Sequence, residues 1–199
     1  MKLNKNQLEL INKQLIRLKE NSDNDKNNKK SFNGFYKNKL GDIKTIKNQE
    51  EFEELPFTDK NGLREVYPLG LQAVSDEEIV RIHSSGTTGT PVIISYNVKD
   101  IENWAMMFER CYKMDGFTNK DIIHITPGYG LWTAAIGFQS GAERLGAMSI
   151  PMGPGNTDKQ LTMMMDLKSS VLCVTSFYVL LLAEEISKRG INDQIHLKK

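Results

Sequence analysis

The residues most able to do chemistry cluster between positions 83 and 91. Ser84-Ser85-Gly86-Thr87-Thr88-Gly89-Thr90-Pro91 joins hydroxyl side chains to two glycines. Glycine lets the backbone take positive φ and approach a ligand closely. A run of N–H groups beside such hydroxyls makes a concave donor surface suited to phosphate oxygens. It is not a Walker A loop, because no Gly-Lys-Ser/Thr follows. The bland alternative is a plain Ser/Thr/Gly turn, but the whole run between two expected strands favours nucleotide phosphate. Ser84, Ser85, Gly86, Thr87, Thr88, Gly89 and Thr90 are therefore the candidate phosphate-binding residues.

A second group lies in Gly128-Tyr129-Gly130-Leu131-Trp132-Thr133 and the helix after it. The glycines let a strand turn sharply into a helix. Tyr129, Gly130, Trp132 and, further along, Phe138 can wall a flat apolar pocket, or serve as plain core anchors. His83 and His124 read better as structural or orienting residues than as general bases. Met163-Met164-Met165 reads as core filling by a pliable side chain. Glu143-Arg144 reads as an ion pair or a helix-surface pair. Cys111 and Cys173 have no metal-ligand spacing and are expected to be two buried free thiols; no metal-ligating residue is expected.

Elements must position these groups. Leu8, Ile11, Leu15 and Leu18 form one apolar stripe, which predicts a helix over 3–20. Residues 21–30 (NSDNDKNNKK) contain no apolar side chain and read as a mobile loop. Residues 42–55 read as a short amphipathic segment ended by Pro56. From Glu78 short strands and helices alternate. Strands are expected at 79–82, 91–95, 121–126, 147–150 and 171–175. Helices are expected from Asn97 as cap to Gly116, over 131–145, from Thr157 as cap to about 168, and over 177–188 with Gly190 as stop. This alternation predicts an α/β layered domain with a largely parallel sheet and flanking helices, preceded by a helical arm. The division is an arm at 1–50 and an α/β domain at 51–199.

Composition bounds the function. The chain has 199 residues, 26 Lys+Arg, 25 Asp+Glu and 39% hydrophobic residues, as ordinary globular proteins do. A net charge of +1 argues against broad attraction to nucleic acid or anionic membrane. That balance is a cancellation, because residues 1–50 carry net +6 and residues 51–199 net −5. The basic arm lacks interleaved aromatics, so a nucleic-acid role is not expected. The start has no secretory pattern and the apolar run 171–183 is too short to span a bilayer. A cytoplasmic protein is expected.

The motifs in order resemble one family. Leu55-Pro56-Phe57-Thr58-Asp59-Lys60, Leu63-Arg64, Tyr67-Pro68 and Gly70-Leu71 precede the hydroxyl loop, and Val80-Arg81-Ile82-His83 leads into it. Gly128 to Thr133, Gly141-Ala142-Glu143-Arg144-Leu145-Gly146-Ala147, Ile150-Pro151, Gly153 to Thr157 and Lys159-Gln160 follow. The series is similar to the phenylacetate–CoA ligases of the adenylate-forming superfamily, from about residue 50 onward. The resemblance implies an incomplete N-terminal AMP-binding domain. It implies a ligase that joins an aryl or arylacetic acid to CoA through an acyl-adenylate, with ATP, Mg²⁺ and CoA. In that family the hydroxyl loop holds the ATP β- and γ-phosphates. Rival readings are a synthetase that transfers AMP to a deazaflavin and a non-catalytic nucleotide- or partner-binding remnant.

Departures from the family carry their own expectations. Its chains are more than twice as long, and the acidic motif, the ribose aspartate and the C-terminal lid lysine are not located here. The catalytic residues are expected in that other part, and the chain alone is expected to be inactive. A second chain carrying the other half, or a homodimer, would cover the sheet edge and apolar face left open. Thr90 stands where the family often has lysine. The spacing from His83 to Gly86 is one residue short, and 21–30 reads as a loop insertion before Gly34-Phe35-Tyr36.

Overall fold

The computed structural model describes residues 2–23, 35–43, 45–72, 74–85 and 89–198. The chain divides into two compact units, Met1–Val98 and Lys99–Lys199.

In the first unit, α1 (Lys5–Asp23) is followed by α2 (Phe35–Leu40), α3 (Gln49–Glu53) and α4 (Lys60–Glu65). Asn4 and Gln7 exchange side-chain-to-backbone hydrogen bonds of 2.9 Å, a reciprocal cap that starts α1. Its stripe then buries Leu15 against Leu40 and Ile46, with Leu8 and Ile11 beside them. Asn12 holds both backbone groups of Ile46, at 2.9 and 2.7 Å, so the chain after α2 is fixed to α1 by a paired amide. The expected loop at 21–30 is helical as far as Asp23, and its remainder lies outside the described residues. The amphipathic segment at 42–55 is helical only over Gln49–Glu53, a helix capped by Asn48 that buries none of its own residues.

Two five-residue strands complete this unit. β1 (Arg81–Ser85) and β2 (Val92–Tyr96) pair antiparallel, with Ser85 opposite Val92. The strand expected at 79–82 begins two residues later because Ser75 and Glu78 close a capping box around a 3-10 turn at Asp76–Glu78. Val80 N–H still bonds Tyr96 C=O at 3.0 Å.

The second unit is a three-layer α/β structure. α5 (Val98–Met114), β3 (Ile122–Ile125), α6 (Ala134–Leu145), β4 (Met148–Pro151), α7 (Thr157–Asp166), β5 (Val171–Cys173) and α8 (Ser176–Arg189) follow in order. The sheet is parallel, in the order β4-β3-β5. β3 is central, and Ile123 and Ile125 have no exposed surface. They pack with Tyr112 of α5 and with Ala135 and Ala142 of α6 on one face. On the other face Leu172 and Val174 join Leu161 of α7 and Leu182 and Ile186 of α8. The period of two along β5 thus divides its side chains between two helical layers.

Sequence expectations differ here in detail. α6 begins at Ala134, not 131, because the glycine-rich turn continues to Thr133. The cap of α7 is Asn156, which adopts φ 48° and accepts from Lys159 N–H at 3.1 Å; Thr157 is its first helical residue. Both cysteines are free, but Cys111 is exposed rather than buried, since it lines an open groove between α5 and β5. Glu143 and Arg144 do not pair with each other. Arg144 bonds Glu109 on α5 at 2.7 Å, and Glu143 accepts from Gln139 at 2.7 Å.

Glycine brings α5 and α6 together. A Cβ on Gly137 would meet the Phe108 ring and Trp104, and one on Gly141 would reach Phe108 and the Glu109 backbone nitrogen at 3.0 Å. Backbone cannot move aside as a flexible side-chain tip can. We expect Gly141→Ala to cost about 1–3 kcal/mol by overpacking, read as a lower urea midpoint with unchanged slope. An unchanged midpoint would show that the seam yields.

A buried polar network fixes the chain after β4. His124 is fully buried, with Nε2 2.6 Å from Gln160 Oε1 and Nδ1 3.4 Å from Ser169 Oγ. Gln160 Nε2 donates to the carbonyls of Gly153 at 2.7 Å and Gly155 at 3.1 Å. Burial pushes the His124 pKa down, and the Gln160 bond opposes that only in part. The unfolded imidazole therefore takes up a proton more readily than the folded one. Stability from this site is full above the unfolded value of about 6.5 and is lost as pH falls below it. Urea unfolding at pH 7.5 and 5.5 should show a loss in the wild type that His124→Gln reduces; equal losses would contradict this.

Candidate functional site

The described ends of the hydroxyl run continue from β1 and lead into β2. β1 carries Ser84, half-buried, and Ser85, exposed, to its end. Gly86, Thr87 and Thr88 lie outside the described residues. Gly89 follows at φ 71°, a left-handed conformation that glycine adopts without strain. Thr90 is exposed, and β2 starts at Val92. Ser85 and Val92 are hydrogen-bonded-strand partners, so six residues close the hairpin between them. The expected strand on each side of the loop is present, as one antiparallel ribbon.

Two neighbours of the loop define its surroundings. His83 is 2% exposed and meets Tyr96 edge-on, with centroids 5.2 Å apart. It sits within the hairpin's packing, as a structural histidine does. Arg64, on α4, donates from Nε to the Thr90 carbonyl at 2.8 Å. Asp59 caps α4 by accepting from Gly62 N–H at 2.7 Å, which sets the helix that carries Arg64. A guanidinium is thus anchored at the end of the loop whose own residue, Thr90, is uncharged. Sequence spacing gave no sign of this, since 26 residues separate the pair.

In the second unit two of the three aromatic candidates share a core and Trp132 does not. Tyr129 is half-buried and packs on the core of Ile123 and Ile125. Its hydroxyl is enclosed without a hydrogen-bond partner, and burial pushes its pKa up to about 12. Gly153 faces its ring: a Cβ there would lie 3.8 Å from Cδ2. The His124–Gln160 network therefore sets the loop that Tyr129 rests on. Gly130 is exposed and Trp132 is 51% exposed, so neither belongs to that core. Phe138 packs on the same core as Tyr129 and also against α5, edge-on to Phe108 at 5.1 Å.

Phe138 also lines an apolar groove of about 590 Å³ beside β5. Trp104, Met107, Phe108 and Cys111 of α5 form one wall, and Val171 to Val174 form another. Tyr112 lies at the base, its hydroxyl donating to Phe138 C=O at 3.1 Å with Cys173 Sγ 3.4 Å away. Burial pushes the Tyr112 hydroxyl and the Cys173 thiol up, so both stay protonated. The α5 periodicity showed a buried stripe in sequence, but not that part of it faces an open groove.

Among the described residues, no cluster of three His, Cys, Asp or Glu side chains could hold a metal ion. No helix among them is long and apolar enough to cross a membrane.

Known proteins narrow the reading. No family model matches the chain. A phenylacetate-coenzyme A ligase of Pseudomonas putida is 44% identical over 144 residues, 72% of this chain and 33% of the relative. One from Escherichia coli is 44% identical over 140 residues, 70% of this chain and 32% of the relative. One from Thermus thermophilus is 38% identical over 154 residues, 77% and 35%. The chain spans about a third of the length of these relatives. An open conformation of 2-hydroxyisobutyryl-CoA ligase, solved with 2-HIB-AMP and CoA, matches at TM-score 0.81 and 22% identity. That match covers 96% of this chain and 45% of that one. The same enzyme in its thioesterification state matches at TM-score 0.76 and 25% identity, over 96% and 42%. The structures carry the fold and the sequences carry the kinship: this chain belongs to the phenylacetate-coenzyme A ligase family of adenylate-forming enzymes.

Proposed function

We propose that the chain forms the phosphate-loop portion of an AMP-forming ligase that joins an aryl or arylacetic acid to coenzyme A. Identity of 38–44% to phenylacetate-coenzyme A ligases over 140–154 residues carries this reading. In the reaction, a carboxylate oxygen of the acid attacks the α-phosphorus of ATP, and the bond to pyrophosphate breaks. The thiol of CoA then attacks the acyl carbon of the adenylate, and AMP leaves. No side chain need remove a proton in the first step, because the acid is already ionised. Charge gathers on the departing pyrophosphate, so the demand is for preorganised donors there.

Ser84, Ser85, Gly86, Thr87, Thr88, Gly89 and Thr90 are the residues proposed to hold those phosphates. Arg64 adds the positive charge that Thr90 lacks, and its bond to the Thr90 carbonyl holds the loop's outgoing end. Tyr129, Gly130, Trp132 and Phe138 are the residues proposed for the acid. Mg²⁺ is the ion such chemistry uses, but the described residues offer no donor cluster that fits it, so no step is assigned to it. The cosubstrates ATP and CoA are cytoplasmic metabolites, and the cytoplasm is the proposed location.

The chain holds only part of this constellation, and positioning supplies most of the rate in such a reaction. We expect the purified chain alone to show no phenylacetate-dependent exchange of pyrophosphate into ATP. Adding the portion of the Pseudomonas putida relative that follows the matched region should restore exchange. Exchange by the chain alone would contradict the first expectation, and a bound but inactive assembly would contradict the ligase reading. In the active assembly Arg64→Ala should raise KM for ATP about tenfold, the scale of one charge-assisted contact. An unchanged KM would remove Arg64 from the site.

A further inference from the structure

Asn61 and Gly62 stand together in the first turn of α4, beside the residue that reaches the hydroxyl loop. We propose that Asn61 is a site of self-catalysed deamidation, held in check by the Asp59 cap, and that its product parts Arg64 from the Thr90 carbonyl. The proposal rests on the geometry of α4 and not on the ligase reading.

The step needs no reagent but water. The Gly62 nitrogen gives its proton to solvent and attacks Cγ of Asn61. The bond from Cγ to the side-chain nitrogen breaks and ammonia leaves, which closes a cyclic imide. Water then opens the imide at one of its two carbonyls. One opening gives aspartate. The other gives isoaspartate, in which the main chain runs through the former side chain and gains a methylene. Either product adds one negative charge. Attack is easiest where glycine follows asparagine, because no Cβ shields the nitrogen or narrows its φ.

Three features of the fold bear on that step. The first is that the turn can open. Asn61 is exposed and α4 buries none of its residues, so little apolar packing resists its opening. Helices this short are marginal by themselves, and a glycine within one weakens it about fivefold relative to alanine.

The second is that the attacking atom is occupied. Gly62 N–H donates to Asp59 Oδ1 at 2.7 Å, and Leu63 N–H donates to the Asp59 carbonyl at 3.2 Å. While these bonds stand the nitrogen keeps its proton, and helical dihedrals hold it off the side-chain carbon. Deamidation therefore proceeds through local opening of the turn, and the cap sets how often the turn opens.

The third is that the turn carries a long-range contact. Arg64 follows in the same helix, and its Nε donates to the Thr90 carbonyl at 2.8 Å. A methylene inserted between Asp59 and Leu63 breaks the helical spacing that their backbone bond requires. Gly62 also loses its seat on α2, where a Cβ would meet Lys39 Nζ at 3.6 Å and Phe35 Cε2 at 3.9 Å. α4 then no longer presents Arg64 to Thr90. The change is one-way, so a chain loses this contact with age.

The experiment incubates the full 199-residue chain at about pH 8 and digests it in acid, which halts the reaction. Asn61 should gain one mass unit, with isoaspartate located by fragmentation. Asn33-Gly34, the other such pair in the sequence, lies outside the described residues and reports on its own peptide as the chemical reference. Relative to Asn33, Asp59→Ala should speed modification of Asn61 about fivefold, the scale of a lost cap, and Asp59→Ser, which still caps, should not. Lys60→Ala, exposed and outside the cap, should leave the rate unchanged. Gly62→Ala should slow it roughly tenfold or more. The atoms nearest that Cβ are the tips of Asp59 and Lys39, which can move aside, so this variant keeps the fold. The aged chain, separated by its added charge, should lose the slowly exchanging Arg64 Nε–H signal, which Arg64→Lys identifies. No change at Asn61 once the Asn33 peptide has converted would overturn the proposal. So would a rate that Asp59→Ala and Asp59→Ser leave alike, or an aged chain that keeps the Arg64 signal.

Discussion

The second unit is organised by the absence of two side chains. Gly137 and Gly141 leave the α6 backbone bare where Phe108 lies on it. Each glycine in a helix interior costs about 1 kcal/mol relative to alanine, a cost offset only by what the close approach permits. It permits Phe108 to reach Phe138 edge-on and Trp104 to lie tilted against Phe108 at 5.5 Å. With α5 and α6 so close, both cover the same face of β3, and Tyr112 meets the sheet with its hydroxyl satisfied. The ion pair of Arg144 with Glu109 crosses the same seam, but an exposed pair of this kind contributes little. Van der Waals contact, not charge, sets the helix spacing. That spacing fixes the depth of the groove and the start of the turn that carries Tyr129.

The sheet's other side depends on a polar residue in the place of an apolar one. His124 interrupts an otherwise aliphatic β3 and would be costly there without partners. Gln160 supplies one and extends the bond to two carbonyls of the Gly153–Gly155 loop. The strand, the loop after β4 and α7 are thereby tied at one point. Gly153 in turn supports the Tyr129 ring. The two networks converge on the turn after β3 from opposite sides of the sheet.

The sequence carried the period of each element more clearly than its ends. Helices α5 to α8 and the parallel strands were legible from apolar spacing and from glycine stops such as Gly190, which closes α8 in the left-handed conformation. Boundaries shifted where a side chain captured a backbone group, as Ser75 with Glu78 does before β1 and Asn156 does before α7. The hydroxyl loop was legible because its residue types are local and unusual together. Arg64 was not, because its partner lies across a hairpin and only the fold brings them to 2.8 Å. The exposure of Cys111 and the open groove were not legible either. Periodicity tells which face of a helix is apolar, not how much of that face finds a neighbour.

A site that works by positioning must hold its groups to within about half an ångström. Apolar contact alone is too permissive for that, since hydrophobic surfaces slide. A β-ladder is not permissive, because a slip of one residue turns every side chain to the wrong face. The parallel register of β3 with β4 and with β5 therefore fixes where the chain leaves the sheet after Ile125, and with it the turn that carries Tyr129. Pairing sets the position of that turn, and the apolar seam of α5 with α6 holds it there.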